Sequence, residues 1–253
     1  MKLLLDIGNS RIKWAWLDAR GDLHGGVPCL HAEESVPGLL ERIDGTADAP
    51  DAVYISHVGS EALRKTLDTS IKTRWGEVEV HWLQAQAEAC GVRCAYVEPG
   101  RLGADRWAAL IGARARWPGA VAILDFGTAI TLDGLAGDGT HVGGLIAPGY
   151  YLMLQALQGN TGQLAAAGAV GYQKSPALFA ADTAGAIHAG IYHCIRGLVT
   201  EIRQQLEARE PGGYTLVATG GGLEHVRAFL PADTVIMPDL VLHGLARVAV
   251  EVV

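Results

Sequence analysis

The sequence predicts an α/β protein made of two duplicated halves, each a mixed sheet with helices packed on it, with an interdomain cleft between them. Three observations carry this. The chain opens with Leu3-Leu4-Leu5-Asp6-Ile7-Gly8-Asn9-Ser10-Arg11-Ile12-Lys13-Trp14, an apolar strand, an Asp-x-Gly-polar turn and a second strand. Ala120-Val121-Ala122-Ile123-Leu124 followed by Asp125-Phe126-Gly127-Thr128-Ala129-Ile130-Thr131 repeats that order midway along the chain. Between and after them, short apolar strands alternate with amphipathic helical segments, the pattern of sheets covered by helices. At 253 residues the chain has room for two such halves, divided here at Trp117-Pro118-Gly119 into 1–117 and 118–253.

In order, residues 1–18 read as a β-hairpin in which Ile12, Trp14 and Trp16 alternate with Lys13 and Ala15. Gly25-Gly26 and Pro28 punctuate a third strand. Residues 33–44 form a short helix with Leu39, Leu40 and Ile43 on its apolar side, 51–56 a strand, 61–67 a helix and 78–82 a strand. Residues 90–103, with Gly91, Pro99, Gly100 and Gly103, read as a loop leading into an alanine-rich helix over 104–115; Arg114 and Arg116 near its end suit the helix dipole. The second half begins with the strand into Asp125. A turn at Gly137-Asp138-Gly139 follows, then a helix over 150–157. Asp182-Thr183 caps a long helix over 183–208 carrying Ile187, Ile191, Ile195, Leu198 and Ile202. A strand over 214–219 runs into Gly220-Gly221-Gly222, and a strand at 234–237 and a helix at 239–251 close the chain.

Composition narrows the function. A formal charge of −7 with no Lys/Arg cluster argues against nucleic acid as a main ligand, because affinity for a phosphate backbone needs a basic surface. Residues 139–173 lack Asp, Glu, Lys and Arg, but their glycines, Pro148 and polar amides exclude a membrane span. Asp6, Arg11 and Lys13 interrupt any signal-peptide core, and Cys29, Cys90, Cys94 and Cys194 form no Cys-x-x-Cys pair. The expectation is a soluble cytoplasmic protein with reduced thiols.

Gly-x-x-x-x-Gly-Lys-Ser/Thr, Gly-x-Gly-x-x-Gly, His-Glu-x-x-His and Gly-x-Ser-x-Gly are all absent from the sequence. His188 and His193, five apart on a helix, do not share a face; one packed and one solvent-facing histidine is the expectation. What remains is the pair of Asp-x-Gly turns. Glycine there lets backbone N–H groups approach an anion, a carboxylate at the strand end can face a cation, and a hydroxyl can face a phosphate oxygen. One such turn alone is equally a hairpin with an acidic tip. Two in corresponding positions, with a glycine run after a late strand, form a phosphate clamp.

The pattern resembles the actin and sugar-kinase superfold, whose halves are ribonuclease-H-like and whose two hairpins grip ATP. Within it, Leu102-Gly103-Ala104-Asp105-Arg106-Trp107, with Tyr96 and Pro99 upstream, resembles the substrate motif of type III pantothenate kinases. Asp6-x-Gly-Asn-Ser, Asp125-x-Gly-Thr-Ala-x-Thr, Gly143-Gly-x-Ile-x-Pro-Gly, Asp182-Thr183 and Thr219-Gly220-Gly221 match the same family in order. The resemblance implies ATP-dependent phosphorylation of pantothenate, the first step towards coenzyme A, in a cytoplasmic homodimer with the substrate site at the subunit interface. It implies Asp105 as general base, with Tyr96, Gly103, Ala104, Arg106 and Thr183 contacting pantothenate and Arg106 holding its carboxylate. ATP falls to Asp6, Ile7, Gly8, Asn9, Ser10, Arg11, Ile12, Lys13, Thr128, Gly220 and Gly221. Asp6 is placed on Mg²⁺ through water and Asp125 on a monovalent cation, K⁺ or NH₄⁺.

Several of these residues have plainer readings. Asp105 alone is equally an N-terminal helix residue paired with Arg106, Thr183 a helix cap, and Lys13 a solvated strand lysine. Ser10 stands where threonine is commoner, keeping the hydroxyl, and Gln173-Lys174-Ser175-Pro176 does not align, which loosens the placement of Thr183. Two other functions use the same hairpins: another small-molecule kinase or phosphatase, which needs no Gly-Ala-Asp-Arg motif, and a catalytically silent nucleotide-binding regulator, which needs no base.

Overall fold

The computed structural model describes residues 1–26, 29–30, 36–43, 49–159, 176–209 and 213–251. They group into two compact units: Met1–Pro118 with Leu135–Gly143 and Asp239–Val253, and Gly119–Gly134 with Gly144–Pro238.

In the first unit, β1 (Lys2–Ile7) and β2 (Arg11–Leu17) form an antiparallel hairpin in which Asp6 lies opposite Lys13. β3 (Leu23–Gly25) and β4 (Cys29–Leu30) both pair with β2. After α1 (Val36–Ile43), β5 (Ala52–His57) runs parallel to β1; after α2 (Glu61–Trp75), β6 (Glu79–Trp82) runs parallel to β5. The Leu3-Leu4-Leu5 run requires burial on both faces of the sheet, and both are covered. Leu3, Leu5, Val53 and Ile55 share one buried cluster with Leu39, Leu40 and Ile43 of α1 and Leu67 and Ile71 of α2. The residues at 33–35 and 44 that were included in the expected first helix lie outside the described residues.

Two elements exceed the sequence reading. α2 extends eight residues past the expected end at 67, because only Leu67 and Ile71, one turn apart, are buried on an otherwise polar helix. Its ends are well marked: the Ser60 hydroxyl accepts from the Leu63 N–H, and Gly76, at φ +71°, donates its N–H to the Lys72 carbonyl. The expected loop at 90–103 contains a miniature hairpin of β7 (Glu88–Ala89) and β8 (Val92–Arg93). Its two linking residues, Cys90 (φ 51°) and Gly91 (φ 74°), are both left-handed, as a tight hairpin turn requires. A 3₁₀ turn at Pro99–Arg101 leads into α3 (Ala104–Arg116). Near the end of that helix Arg114 donates to the carbonyls of Pro118 and Gly137.

In the second unit, β9 (Val121–Phe126) and β10 (Ala129–Leu135) form the second hairpin, continued by β11 (His141–Pro148). α4 (Tyr150–Gly159) and α5 (Thr183–Arg209) follow, then β12 (Thr215–Thr219), parallel to β9, and β13 (Val235–Ile236), parallel to β12. Of the predicted α5 stripe, Ile191, Ile195 and Ile202 are buried, together with Val199, against Leu124, Phe126, Ile130 and Tyr150, while Ile187 and Leu198 are partly buried at its edge.

The two sheets run β3-β2-β1-β5-β6 and β11-β10-β9-β12-β13, the same order by position once β4, which pairs with β2 off the main path, is set aside. The duplication inferred from the paired Asp-x-Gly turns is therefore a duplication of topology.

The closing helix, α6 (Leu240–Glu251), lies with the first unit, although the sequence division groups 118–253 together. Its Leu242, Leu245 and Ala249 share a buried cluster with Leu4, Ala15, Leu17, Ala52 and Tyr54, the second face of the first sheet. It also meets α3 at backbone distance: a Cβ on Gly244 would stand 1.9 Å from the Ala108 carbonyl oxygen, and one on Gly112 2.6 Å from the Leu240 carbonyl oxygen. Backbone cannot yield as a side chain can, so Gly244→Ala should destabilise the protein by about 1–3 kcal/mol. Chemical denaturation with an unchanged midpoint would show that the two helices separate without cost.

Candidate active site

At the first hairpin the Gly8 N–H donates to the Arg11 carbonyl at 3.1 Å, closing a tight turn. Asn9, Ser10 and Arg11 are exposed there, while Asp6, Gly8 and Lys13 are half-buried. Ile7 and Ile12 are each 1% exposed and pack in the core, so of the residues expected on ATP these two have only backbone to offer.

The second hairpin is built against two glycine segments of its own unit. The Gly127 N–H donates to the Ala129 carbonyl at 3.0 Å, and the Thr128 carbonyl accepts from the Gly149 N–H at 3.0 Å. A Cβ on Gly149 would stand 2.4 Å from the Thr128 carbonyl oxygen, which accounts for the glycine ending the Gly143–Gly149 motif. Thr219 lies beside Asp125 in the parallel β9–β12 ladder, so the glycine turn emerges next to that carboxylate. Gly220 has φ +97°, and a Cβ there would come within 2.2 Å of Asp125 Oδ1. The Gly222 N–H donates to the Phe126 carbonyl at 2.6 Å. The second hairpin, carrying Asp125 and Thr128, thus meets the Gly220–Gly222 turn, distant in sequence, at Asp125 and Phe126.

The Leu102–Trp107 motif lies at the head of α3. Gly103 is the N-cap residue and supplies no side-chain cap. Asp105, in the first helical turn, folds back so that its Oδ1 accepts the Arg106 N–H at 2.7 Å. A Cβ on Gly103 would meet that same oxygen at 2.6 Å, so glycine there leaves room for the carboxylate. Asp105 is half-buried. Arg106 is 8% exposed; its Nη1 donates to the Tyr96 hydroxyl at 3.0 Å, and its guanidinium lies 5.8 Å from the Tyr96 ring centre. His141, 1% exposed, stacks on the Tyr96 ring with the ring centres 6.0 Å apart. The Ala95 N–H donates to its Nδ1 at 3.4 Å. Tyr96, Gly103, Asp105 and Arg106 are brought together as expected. His141 was not foreseen, because it is near Tyr96 only through the β10–β11 turn.

Thr183 is the exposed first residue of α5, and the cap is its neighbour: Asp182 Oδ1 accepts the Gly185 N–H at 2.8 Å. Gln173, Lys174 and Ser175 lie outside the described residues. His188 is buried and bonded to the Tyr150 hydroxyl, while His193 is half-buried. Cys90, Cys94 and Cys194 are free, and burial together with neighbouring Glu251 pushes the Cys90 thiol up to about 12, which keeps it protonated. Among the described residues no three His, Cys, Asp or Glu side chains gather as a metal site. Among them, too, no helix is long and apolar enough to cross a membrane.

Two sheets of one order, each opening on an Asp-x-Gly hairpin, define a protein of the actin-like ATPase and sugar-kinase fold. Solved structures agree. A protein from Sinorhizobium meliloti described as a 2-dehydro-3-deoxygalactonokinase superposes with a TM-score of 0.61 at 17% identity, covering 100% of this chain and 97% of that one. The activator of the 2-hydroxyisocaproyl-CoA dehydratase from Clostridium difficile, with bound ADPNP, gives 0.55 at 13% identity, covering 99% and 94%. The family model for type III pantothenate kinase matches residues 2–205. The type III pantothenate kinase of Halorhodospira halophila (strain DSM 244 / SL1) is 40% identical over 254 residues, covering 97% of this chain and 96% of that protein. That of Paraburkholderia xenovorans (strain LB400) is 37% identical over 259 residues, covering 98% and 94%. The chain belongs to the type III pantothenate kinase family.

Proposed function

We propose that this kinase transfers the γ-phosphoryl group of ATP to the primary hydroxyl of pantothenate with Asp105 as general base. The observation that carries the assignment is the Asp105 carboxylate, half-buried and folded over Gly103 beside the Tyr96–Arg106 pair. Asp105 takes the hydroxyl proton as the oxygen bonds to the γ-phosphorus and the bond to the β,γ-bridging oxygen breaks, giving 4′-phosphopantothenate and ADP. Tyr96, Gly103, Ala104, Arg106 and Thr183 contact pantothenate, Arg106 as a charge-assisted donor to its carboxylate.

ATP is held by the Asp6–Lys13 turn, by Thr128 and by Gly220-Gly221. Mg²⁺ bound with it offsets triphosphate charge, and Asp6 holds that ion through water. Asp125 holds a monovalent cation, K⁺ or NH₄⁺. Support comes from the space around its Oδ1, which a Cβ at residue 220 would fill. Exchanging K⁺ for tetramethylammonium should suppress turnover; an unchanged rate would remove Asp125 from this role.

The working form is a cytoplasmic homodimer with the substrate site at the subunit interface. In its favour, the second unit exposes Tyr151, Leu152 and Leu157 on α4 and Leu178 and Phe179 just before Thr183, more apolar surface than scattered single residues would leave. Light scattering that returns the single-chain mass of 26.6 kDa would refute the dimer.

The deciding experiment follows ADP release with ATP, Mg²⁺ and K⁺ across a panel of alcohols. Turnover with a sugar and not with pantothenate would point to another small-molecule kinase. ATP binding without any turnover would point to a silent regulator.

A further inference from the structure

A groove of about 420 Å³ opens in the first unit alongside the acceptor motif, with Gly103 and Ala104 forming part of its wall. The rest of its lining includes His57, Arg64, Trp82, Gln84 and Arg101, and no carboxylate. In a chain of net charge −7, a groove whose lining carries two arginines and no carboxylate is locally basic, although Glu98 and Asp105 stand at its margin. Such a wall favours an anion, and low-dielectric sides strengthen its field.

The two arginines are not equivalent. Arg101 is 74% exposed at its side chain and is paired to Glu98 at 2.6 Å, which offsets its charge. Arg64 is half-buried and lies over an aromatic ring: its guanidinium carbon is 4.7 Å from the ring centre of Trp82, and the His57 ring meets the same indole edge-on at 5.8 Å. Stacking of this kind fixes a guanidinium while leaving its in-plane N–H groups available.

Its position is also costly for the helix. Arg64 is the fourth residue of α2, its N–H bonded to the Ser60 carbonyl, at the end of the dipole that disfavours cations. The contact with Trp82 offsets that cost and holds the charge at the groove wall.

We propose that Arg64, oriented by Trp82, is a specificity-determining residue that selects acceptors with an anionic end, drawing the carboxylate along this groove towards Tyr96 and Arg106. The inference rests on the reading of Gly103–Arg106 as the acceptor site. It assigns Arg64 to recognition of acceptor charge and leaves proton transfer with Asp105.

The test compares pantothenate with its neutral analogue, in which the carboxylate is replaced by a hydroxymethyl group. Arg64→Met should raise KM for pantothenate roughly tenfold, the scale of one lost hydrogen bond to a charged group. KM for ATP should hold, KM for the neutral analogue should not move, and the change should lie in KM rather than kcat. Arg64→Lys, which keeps the charge but not the planar fork, should recover only part of the loss. An equal rise with both acceptors, or none with either, at an unaltered unfolding temperature would overturn the assignment. Should the Met variant not fold, Arg64→Gln is read by the same two-acceptor comparison. A wild-type enzyme inactive on pantothenate would overturn the acceptor-site reading and this inference together. A wild type active on pantothenate, with the Arg64 variants unchanged, would overturn this inference alone.

Discussion

Replacing Asp105 by asparagine should lower kcat on pantothenate by about 10²–10⁴-fold, the usual contribution of a positioned general base. The substitution separates chemistry from architecture well. An asparagine side-chain oxygen can still accept the Arg106 N–H that Asp105 Oδ1 now accepts at 2.7 Å, and it demands no more room beside Gly103 than the carboxylate does. The head of α3, the Arg106–Tyr96 bond and the stacked His141 should therefore persist, and the unfolding temperature should stay close to wild type. What is lost is the basicity that receives the hydroxyl proton. KM for ATP should change little, because the amide removes no phosphate contact. A kcat within a few-fold of wild type, in a variant of unaltered stability, would move the base to another residue and leave Asp105 as a helix-terminal acid alone.

How far the sequence discloses this arrangement differs from element to element, for physical reasons. Both hairpins are legible because their cores are unbroken apolar runs and their turns carry an acid and a glycine, signals confined to a dozen residues each. The α5 stripe is legible because Ile191, Ile195 and Ile202 follow a helical period over a long stretch. The length of α2 is hidden because two buried residues on a polar helix leave almost no periodicity. The β7–β8 hairpin is hidden because its ladder is two residues long, although Cys90-Gly91 supplies the turn. Side-chain direction is a further gap. Ile7 and Ile12 sit inside the expected ATP segment, yet the alternation of the strands turns both into the core. Residues that join the site from far away in sequence leave no local mark at all. His141 reaches Tyr96 from the β10–β11 turn, and Arg64 meets Trp82 across the β5–α2–β6 connection. The family motifs mark the residues proposed to touch reactants, while the groove beside them has to be read from the packing.

Gly220→Ala should be the most damaging single-methyl change in the second unit, lowering kcat/KM for ATP on the order of 10²-fold, as expected when reacting groups shift by about an ångström. Two effects act together. At φ +97° an L-residue is strained whatever its surroundings. The added Cβ would also stand 2.2 Å from Asp125 Oδ1 and 2.6 Å from the carbonyl carbon and oxygen of Phe126. The Asp125 side chain can rotate away, but the Phe126 backbone belongs to β9 and is tied to the glycine turn by the 2.6 Å bond from the Gly222 N–H. Relief therefore requires the turn or the hairpin to move, and either shift carries Asp125 and Thr128 out of register with Gly220-Gly221. Gly119→Ala, where a Cβ meets nothing within 4 Å, should leave kcat/KM unchanged and serves as the control. Steady-state kinetics with ATP varied at saturating pantothenate decide the matter. A Gly220→Ala enzyme that keeps wild-type kcat/KM would mean that the close approach of the glycine turn to Asp125 is incidental to nucleotide binding.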